Sequence, residues 1–371
     1  MKWVIKTVSE KLWFQLAKNI LKAGGPPIPI NNTLIDLLKT LINEEQLYFL
    51  LKFRKPLNFD QLKSKVDMDD TSLNNILNDL MNIGIITGIP SKTTGTMVYR
   101  LVAFLPGLLE FTLMKGETGE KQKKLARLWD TLFKEETDVT QNNYDIVMNA
   151  FKEAPPIDRV IPVEQQIEPH EELVLPEEEV RKIIENYEII GVSYCYCRHL
   201  KDLLEDPCKI NAPKQNCLSF GRTAKFVIDH NFAKSISKEE ALKILKEAED
   251  IGLVHKAFHI RGDPLQEELA ICNCCSCCCG NFQAFYSGTS PTHTYTSYIA
   301  NVIESNCVGC GTCSSICPMN SIELDDAIAR VNVDRCFGCG VCAHSCPEHA
   351  IELKRTGLRK VFIPAPKISA R

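Results

Sequence analysis

Eighteen cysteines crowd into residues 195–346, and the 194 residues before them contain none. A chain this rich in thiols must oxidise them to disulfides, bury them as small apolar groups, or converge them on metal. No run of about 18 uninterrupted apolar residues offers a spanning helix. The best candidate, residues 101–114, is broken by Pro106, Gly107 and Glu110. Residues 1–25 lack the uninterrupted apolar segment and cleavage pattern of a secretory signal. The expected setting is therefore the reducing cytoplasm, where dense cysteine means metal more often than disulfide. Forty-three basic against 47 acidic side chains, net −4, exclude a globally basic nucleic-acid binder.

The last third carries the most specific pattern. Cys307, Cys310, Cys313 and Cys317, followed by Pro318, form a C-x2-C-x2-C-x3-C-P run. Cys336, Cys339, Cys342, Cys346 and Pro347 repeat it 29 residues later. A cubane cluster takes three thiolates from one tight loop, and the fourth cysteine of each run crosses to the other cluster. That rule predicts one set of Cys307, Cys310, Cys313 and Cys346, and a second of Cys336, Cys339, Cys342 and Cys317. Gly309, Gly311, Gly338 and Gly340 suit loops that turn sharply and aim N–H groups at sulfur. Zinc sites instead use C-x2-C pairs with a longer spacer. Residues 300–355 resemble the bacterial two-[4Fe-4S] ferredoxin, which implies conduction of single electrons between two neighbouring clusters.

Ten cysteines remain: Cys195, Cys197, Cys208 and Cys217, then Cys272, Cys274, Cys275, Cys277, Cys278 and Cys279. Six thiols within eight residues are too many for packing alone, and vicinal disulfides are geometrically poor. Metal is the economical reading, with ligands for one or two further iron–sulfur clusters. The first four can form one set and four of the run another, or the two segments can interleave around one unusual cluster. Either way Arg198 sits beside a cluster, where its charge can stabilise the reduced form or guide an anion; a surface ion pair is the plainer role. His199 and His293 read as ordinary histidines before ligands. Cys278-Cys279-Gly280 also resembles part of the CCG motif of heterodisulfide reductase catalytic subunits, but the downstream C-x2-C of that motif here belongs to the ferredoxin-like run.

The N-terminal region predicts helices at 34–42, 44–53 and 59–66, then a helix carrying Leu73, Ile76, Leu77 and Leu80 with caps at Asp70, Thr71 and Ser72. Two strands follow, 84–86 and 98–102, and a further helix covers 122–133. This order looks like a winged helix. The helix after Asp67 carries no Lys or Arg up to Asn82, while Asp67, Asp69, Asp70 and Asp79 would repel phosphate. Lys92 and Arg100 offer only a wing contact, and Asn74, Asn75 or Asn78 a base contact. A scaffold or protein-docking role is favoured over DNA. Residues 2–22 carry an apolar row with five lysines against one glutamate, which suits packing on the domain itself or, alternatively, peripheral membrane contact through residues 1–25.

The expected architecture is multidomain α+β. A winged-helix-like domain spans 1–150, an acidic Pro/Glu-rich linker 151–178, and a Cys-rich α/β or α+β metal domain 179–299. The ferredoxin-like domain covers 300–355 and a basic tail 356–371. Residues 151–190 hold 11 acids against 4 bases, hence the exposed linker, and residues 280–297 read as a second polar seam. Lys354, Arg355, Arg359, Lys360, Lys367 and Arg371 in or before the tail suit steering of an acidic partner. With Cys-Tyr-Cys-Arg-His and Cys-Asn-Cys-Cys-Ser-Cys-Cys-Cys-Gly, the whole resembles a family of ferredoxin-domain proteins from anaerobes, which implies an electron carrier serving a redox protein partner. A reductase with a catalytic middle cluster, or a redox-sensing transcription regulator, are the alternatives. No glycine-rich nucleotide or flavin motif follows a strand.

Overall fold

The computed structural model describes residues 9–25, 28–91, 93–153, 158–166, 180–259, 268–291, 295–357, 359 and 362–368. Trp3, Val4 and Val8 of the N-terminal apolar row, Lys92, most of the acidic stretch, His293, Lys360 and Arg371 lie outside them. Two compact units result. The first comprises residues 1–136, 202–206 and 226–233; the second comprises 137–201, 207–225 and 234–371 and holds all 18 cysteines. Among the described residues, no helix is long and apolar enough to cross a membrane.

The first unit runs α1 (Glu10–Lys22), α2 (Asn32–Leu41), α3 (Glu44–Leu50), β1 (Leu57–Asn58), α4 (Phe59–Lys63), α5 (Asp70–Ile83), β2 (Ile86–Pro90), β3 (Met97–Leu101), α6 (Leu109–Leu113) and most of α7 (Glu120–Asn142). Asn43 with Gln46, and Asn58 with Gln61, make reciprocal caps that start α3 and α4. The cap of α5 is Asp69, one residue before those expected, accepting from the Ser72 N–H at 2.7 Å. Trp13, Leu16, Ala17 and Ile20 bury the apolar face of α1. The strand expected at 84–86 lies instead at Ile86–Pro90, because Gly84 caps α5; it pairs with β3, and β1 joins them to give the antiparallel order β1-β3-β2. At two residues, β1 is too short to show a period. Phe226 and Phe232 return to this unit and close on Phe111, with ring centroids 5.8 and 4.9 Å away.

The second unit begins with the end of α7, then α8 (Tyr144–Glu153), β4 (Asp158–Ile161), α9 (Val180–Glu185), β5 (Ile190–Tyr194), α10 (Tyr196–Leu203), β6 (Gln215–Phe220) and the start of α11 (Gly221–Asp229). It continues with β7 (Lys234–Ile236), α12 (Lys238–Asp250), β8 (Val254–His259), β9 (Glu268–Cys274) and α13 (Gly280–Tyr286). Six strands form one antiparallel sheet in the order β4-β8-β9-β6-β5-β7. Ile184, Ile190, Leu218, Phe220, Leu245, Ala257 and Ile271 fill one core against it. Ser237 and Glu240 form a capping box that starts α12, as the Ser-Lys-Glu-Glu order at 237–240 predicts. The chain ends with β10 (Tyr298–Val302), α14 (Thr312–Ile316), β11 (Ile322–Asp325), β12 (Ile328–Val331), α15 (Val341–His344) and β13 (Ile351–Arg355), where β10 pairs β13 and β11 pairs β12.

Two expectations are corrected here, and the tail gains contacts that the sequence did not show. The stretch read as an exposed linker contains β4, an edge strand on β8, with Val160 and Ile161 buried. Its Val-Ile-Pro-Val core is apolar, and the surrounding acids masked it in a composition count. The polar seam at 280–297 opens with α13, whose Phe282 and Phe285 are buried because they face the cluster side of the core. The basic tail is anchored: Arg359 donates to the carbonyls of Cys336 and Val333, Tyr144 donates to the Ala365 carbonyl, and Lys367 pairs with Asp145 at 3.5 Å.

Candidate metal centres

Each ferredoxin-like run folds as a tight loop ending in a one-turn helix, α14 or α15, with Gly311 and Gly340 as left-handed entry residues. Gly309 and Gly338 show why no side chain fits earlier in the loops. Both have positive φ, and a Cβ would lie 2.2 Å from the Ala327 carbonyl oxygen or 2.1 Å from that of Tyr298. Cys313 feels the charges of Cys310, Cys346 and Cys307, while Cys317 faces Cys336, Cys339 and Cys342. Cys317, Cys336, Cys339 and Cys342 also line one cavity. Backbone N–H groups of Ala329, Ser321 and Ala350 point at the sulfurs of Cys307, Cys317 and Cys346, 3.3 to 3.5 Å away.

Burial raises the thiols of Cys336 and Cys342 above the ordinary cysteine value. Bare, they stay neutral; a metal cluster supplies the positive charge that makes them thiolates. Neighbouring thiols, N–H donors aimed at sulfur and loops with no room for Cβ fit a cluster at each set. The two sets differ in access. Cys310 is exposed and Val308 beside it is 64% exposed, whereas Cys336, Cys339 and Cys342 are buried.

Six of the other ten thiols close a ring. Cys195, Cys197, Cys279, Cys274, Cys272 and Cys217 follow one another around it and line one cavity, which Cys275 also borders. Adjacent strands β5, β6 and β9 bring them together. Side chains two apart share a strand face, so Cys272 and Cys274 point the same way. Cys217 lies one step from the Leu218–Ile271 pair and so meets Cys272. Cys195 leaves β5, Cys197 opens α10, and Cys279 caps α13. The Gly280 N–H donates to Cys197 sulfur at 3.2 Å.

Cys208 is not in this ring. It joins Cys275, Cys277 and Cys278, and these four sulfurs all lie within 4.8 Å of one another. The grouping of Cys208 with Cys195, Cys197 and Cys217 is therefore replaced by an interleaved one, set by which strands are neighbours. Among the described residues neither the ring nor the ferredoxin-like thiols form so tight a group.

Buried cations surround the ring. Arg198 is 1% exposed and donates to the Pro213 carbonyl at 2.9 Å, Asn216 Oδ1 at 2.7 Å and the Asn273 carbonyl at 2.8 Å. Burial works against its charge, and the thiolates of Cys195, Cys275 and Cys217 outweigh that and hold the guanidinium firmly protonated. Its Nε hydrogen has no hydrogen-bond partner and lies in the cavity that the ring thiols line, a donor suited to sulfur. Lys256, which sequence reasoning missed, is paired in register with Cys272, shares the ring's face and is 2% exposed. Its ammonium lies 4.6 Å from the Phe282 ring centre and brings positive charge beside Cys279 and Cys274. Bonds to Cys197 and Cys274 hold Cys279 well below the ordinary cysteine value, while Cys274 nonetheless stands well above it. The signal was there: a lysine in the middle of a strand otherwise suited to burial.

On the opposite face of β9, Asn273 receives His255 Nδ1 at 2.6 Å and donates to the Asn216 carbonyl at 2.7 Å. His255 Nε2 lies 3.4 Å from Glu249. This buried polar chain orients Arg198 from behind. His199 is buried on α10 with its ring 6.1 Å from that of Tyr194.

The family described as 4Fe-4S dicluster domain matches residues 306–350. No curated protein and no solved structure matches the chain. The chain thus carries an iron–sulfur, ferredoxin-type C-terminal domain within a larger mixed helix-and-strand protein, and iron–sulfur electron transfer is its supported chemistry.

Proposed function

We propose that the protein is an electron-transfer chain within one polypeptide, running from the exposed ferredoxin-like set through the buried one to a further iron–sulfur cluster in the six-thiol ring. Cys307, Cys310, Cys313 and Cys346 hold the outer cluster, and Cys317, Cys336, Cys339 and Cys342 the inner. When bound, each cubane accepts or releases a single electron with little rearrangement. The protein's own part is to exclude water, hold the thiolates fixed and supply N–H donors and cations that stabilise added negative charge.

The observation that carries this reading is a shared core. Cys274 and Cys279 of the ring and Cys339 of the inner set belong to one buried cluster with Phe282, Phe285, Met319 and Phe337, against which Cys317 also packs. Phe282 and Phe337 form an aromatic wall within that core, their rings 6.2 Å apart. Val308 and Cys310 leave the outer set at the surface, where a redox protein partner docks. The helices and β1-β3-β2 sheet of the first unit suit a winged-helix-like docking module, and the acids of α5 favour a protein partner over DNA.

The test is iron and acid-labile sulfide in anaerobically purified full-length protein and in a Cys195→Ser, Cys217→Ser variant. Iron beyond that of two cubanes, lost in the variant while the ferredoxin-type signal persists, supports the reading. Iron for two cubanes only, unchanged by the substitutions, refutes the ring cluster.

A further inference from the structure

We infer that Cys208, Cys275, Cys277 and Cys278 hold a single zinc ion, a structural site separate from every iron–sulfur cluster. The argument rests on sulfur spacing. Cys208 lies 3.8 Å from Cys275 and 3.7 Å from Cys277, and Cys277 lies 3.7 Å from Cys278. Four sulfurs placed tetrahedrally at about 2.3 Å from one zinc are separated by roughly 3.8 Å. The spacing is that of one shared ion.

A cubane needs a different arrangement. Its four irons sit at separate corners, and each takes one thiolate, so the ligating sulfurs stand apart around the cluster. Thiols in mutual contact cannot each face their own iron. The ring and the ferredoxin-like sets are the more open arrangements, and only this group is drawn together to within 4.8 Å among the described residues.

Four thiolates in a tetrahedron select zinc or iron, and at equal donors zinc binds more tightly than ferrous iron. The site is also closed. Four protein ligands leave no position for substrate, which marks a structural rather than a catalytic zinc. Cys275 and Cys278 are buried, and Ala212, Ala248 and Leu253 pack around the group. Two negative charges remain on a zinc with four thiolates; Arg198, in contact with Cys275, offsets part of them.

The location gives the ion a task. Cys275, Cys277 and Cys278 lie between the ring ligands Cys274 and Cys279, and Cys208 lies on the loop between α10, which carries Cys197 and Arg198, and β6, which carries Cys217. One ion ties that loop to the cysteine-rich turn. It thereby holds ring ligands from three elements in place without carrying electrons itself.

The experiment is metal analysis and zinc-edge X-ray absorption on full-length, anaerobically purified protein, with Cys208→Ser alongside. The expected result is one zinc per chain with four sulfur neighbours at about 2.3 Å, and loss of that zinc in Cys208→Ser while the ferredoxin-type iron signal persists. Absence of zinc, zinc with nitrogen or oxygen neighbours, or an unchanged four-sulfur zinc in Cys208→Ser overturns the assignment. The absorption measurement on the unsubstituted protein decides even if the variant fails to fold. The ring's iron content is read separately, so the fate of the electron-transfer proposal does not enter.

Discussion

Phe282 and Phe337 meet edge to face, with ring centroids 6.2 Å apart and planes at 85°. Phe282 lies two residues after Gly280, just beyond Cys279 of the ring, and Phe337 lies between Cys336 and Cys339 of the inner set. Tyr286 stacks on Phe282 at 6.3 Å, donates its hydroxyl to the Pro318 carbonyl, and feels the charges of both Cys279 and Cys317. The ring and the inner ferredoxin-like set thus share aromatic packing rather than a hydrated gap.

Replacing Phe282 by Ala removes that wall. A buried aromatic cut to alanine costs roughly 3–5 kcal/mol, so the anaerobic protein should melt at a lower temperature. Reduction of the middle site by a donor at the outer set should slow. Rapid-mixing spectroscopy reads the second effect; an unchanged rate places the electron path elsewhere.

Lys256→Met tests the buried cation. Removing positive charge beside the ring disfavours the form that gains an electron, so the midpoint potential of the middle site should fall while those of the ferredoxin-type clusters move much less. A redox titration followed by electron paramagnetic resonance makes the comparison. Equal shifts at all centres would mean a general loosening of the unit instead.

Gly338→Ala should selectively damage the inner ferredoxin-like set. The position has a φ of +76°, and its Cβ would meet Thr296 Oγ1 and the Tyr298 carbonyl, both at 2.1 Å. Iron analysis should show loss of one cubane with the outer one retained, in contrast to Gly357→Ala, where no atom lies within 4 Å.

Glu136 on α7 gives a pH prediction. Burial raises its carboxyl from 4.5 to about 7. Between those values the folded state keeps a proton that the unfolded chain has lost, so stability falls as pH rises through that window. The full deficit, on the order of 3 kcal/mol, is present above pH ~7 and absent below ~4.5. Glu136→Gln should therefore raise the melting temperature at pH 8 and leave it nearly unchanged at pH 4.5. A uniform gain at both would contradict the titration.

Much of the ferredoxin-like end was legible because its ligands sit on short loops whose spacing dictates their convergence. The two glycine-rich turns and the Cys-Pro endings leave few ways to place Cys307 to Cys346. The capping box at Ser237 and the α5 pattern were equally local. What the sequence could not divulge were pairings that depend on which strands lie side by side. β4, β6 and β9 were missed as strands. β4 hides among acids, and β6 and β9 mix polar residues with cysteines, which breaks the two-residue apolar period.

By itself the amino-acid order pointed to two crossed sets of four thiols at the ferredoxin-type end and to ten further thiols gathered in the middle region. The tertiary structure alone decided how those ten divide. Cys217, Cys272 and Cys195 are 22 to 77 residues apart in sequence, and they meet because β5, β6 and β9 are adjacent in one antiparallel sheet. Cys275, Cys277 and Cys278 turn away from the ring because the chain leaves β9 after Cys274, and the strand alternation that aims Cys272 and Cys274 at the ring ends there.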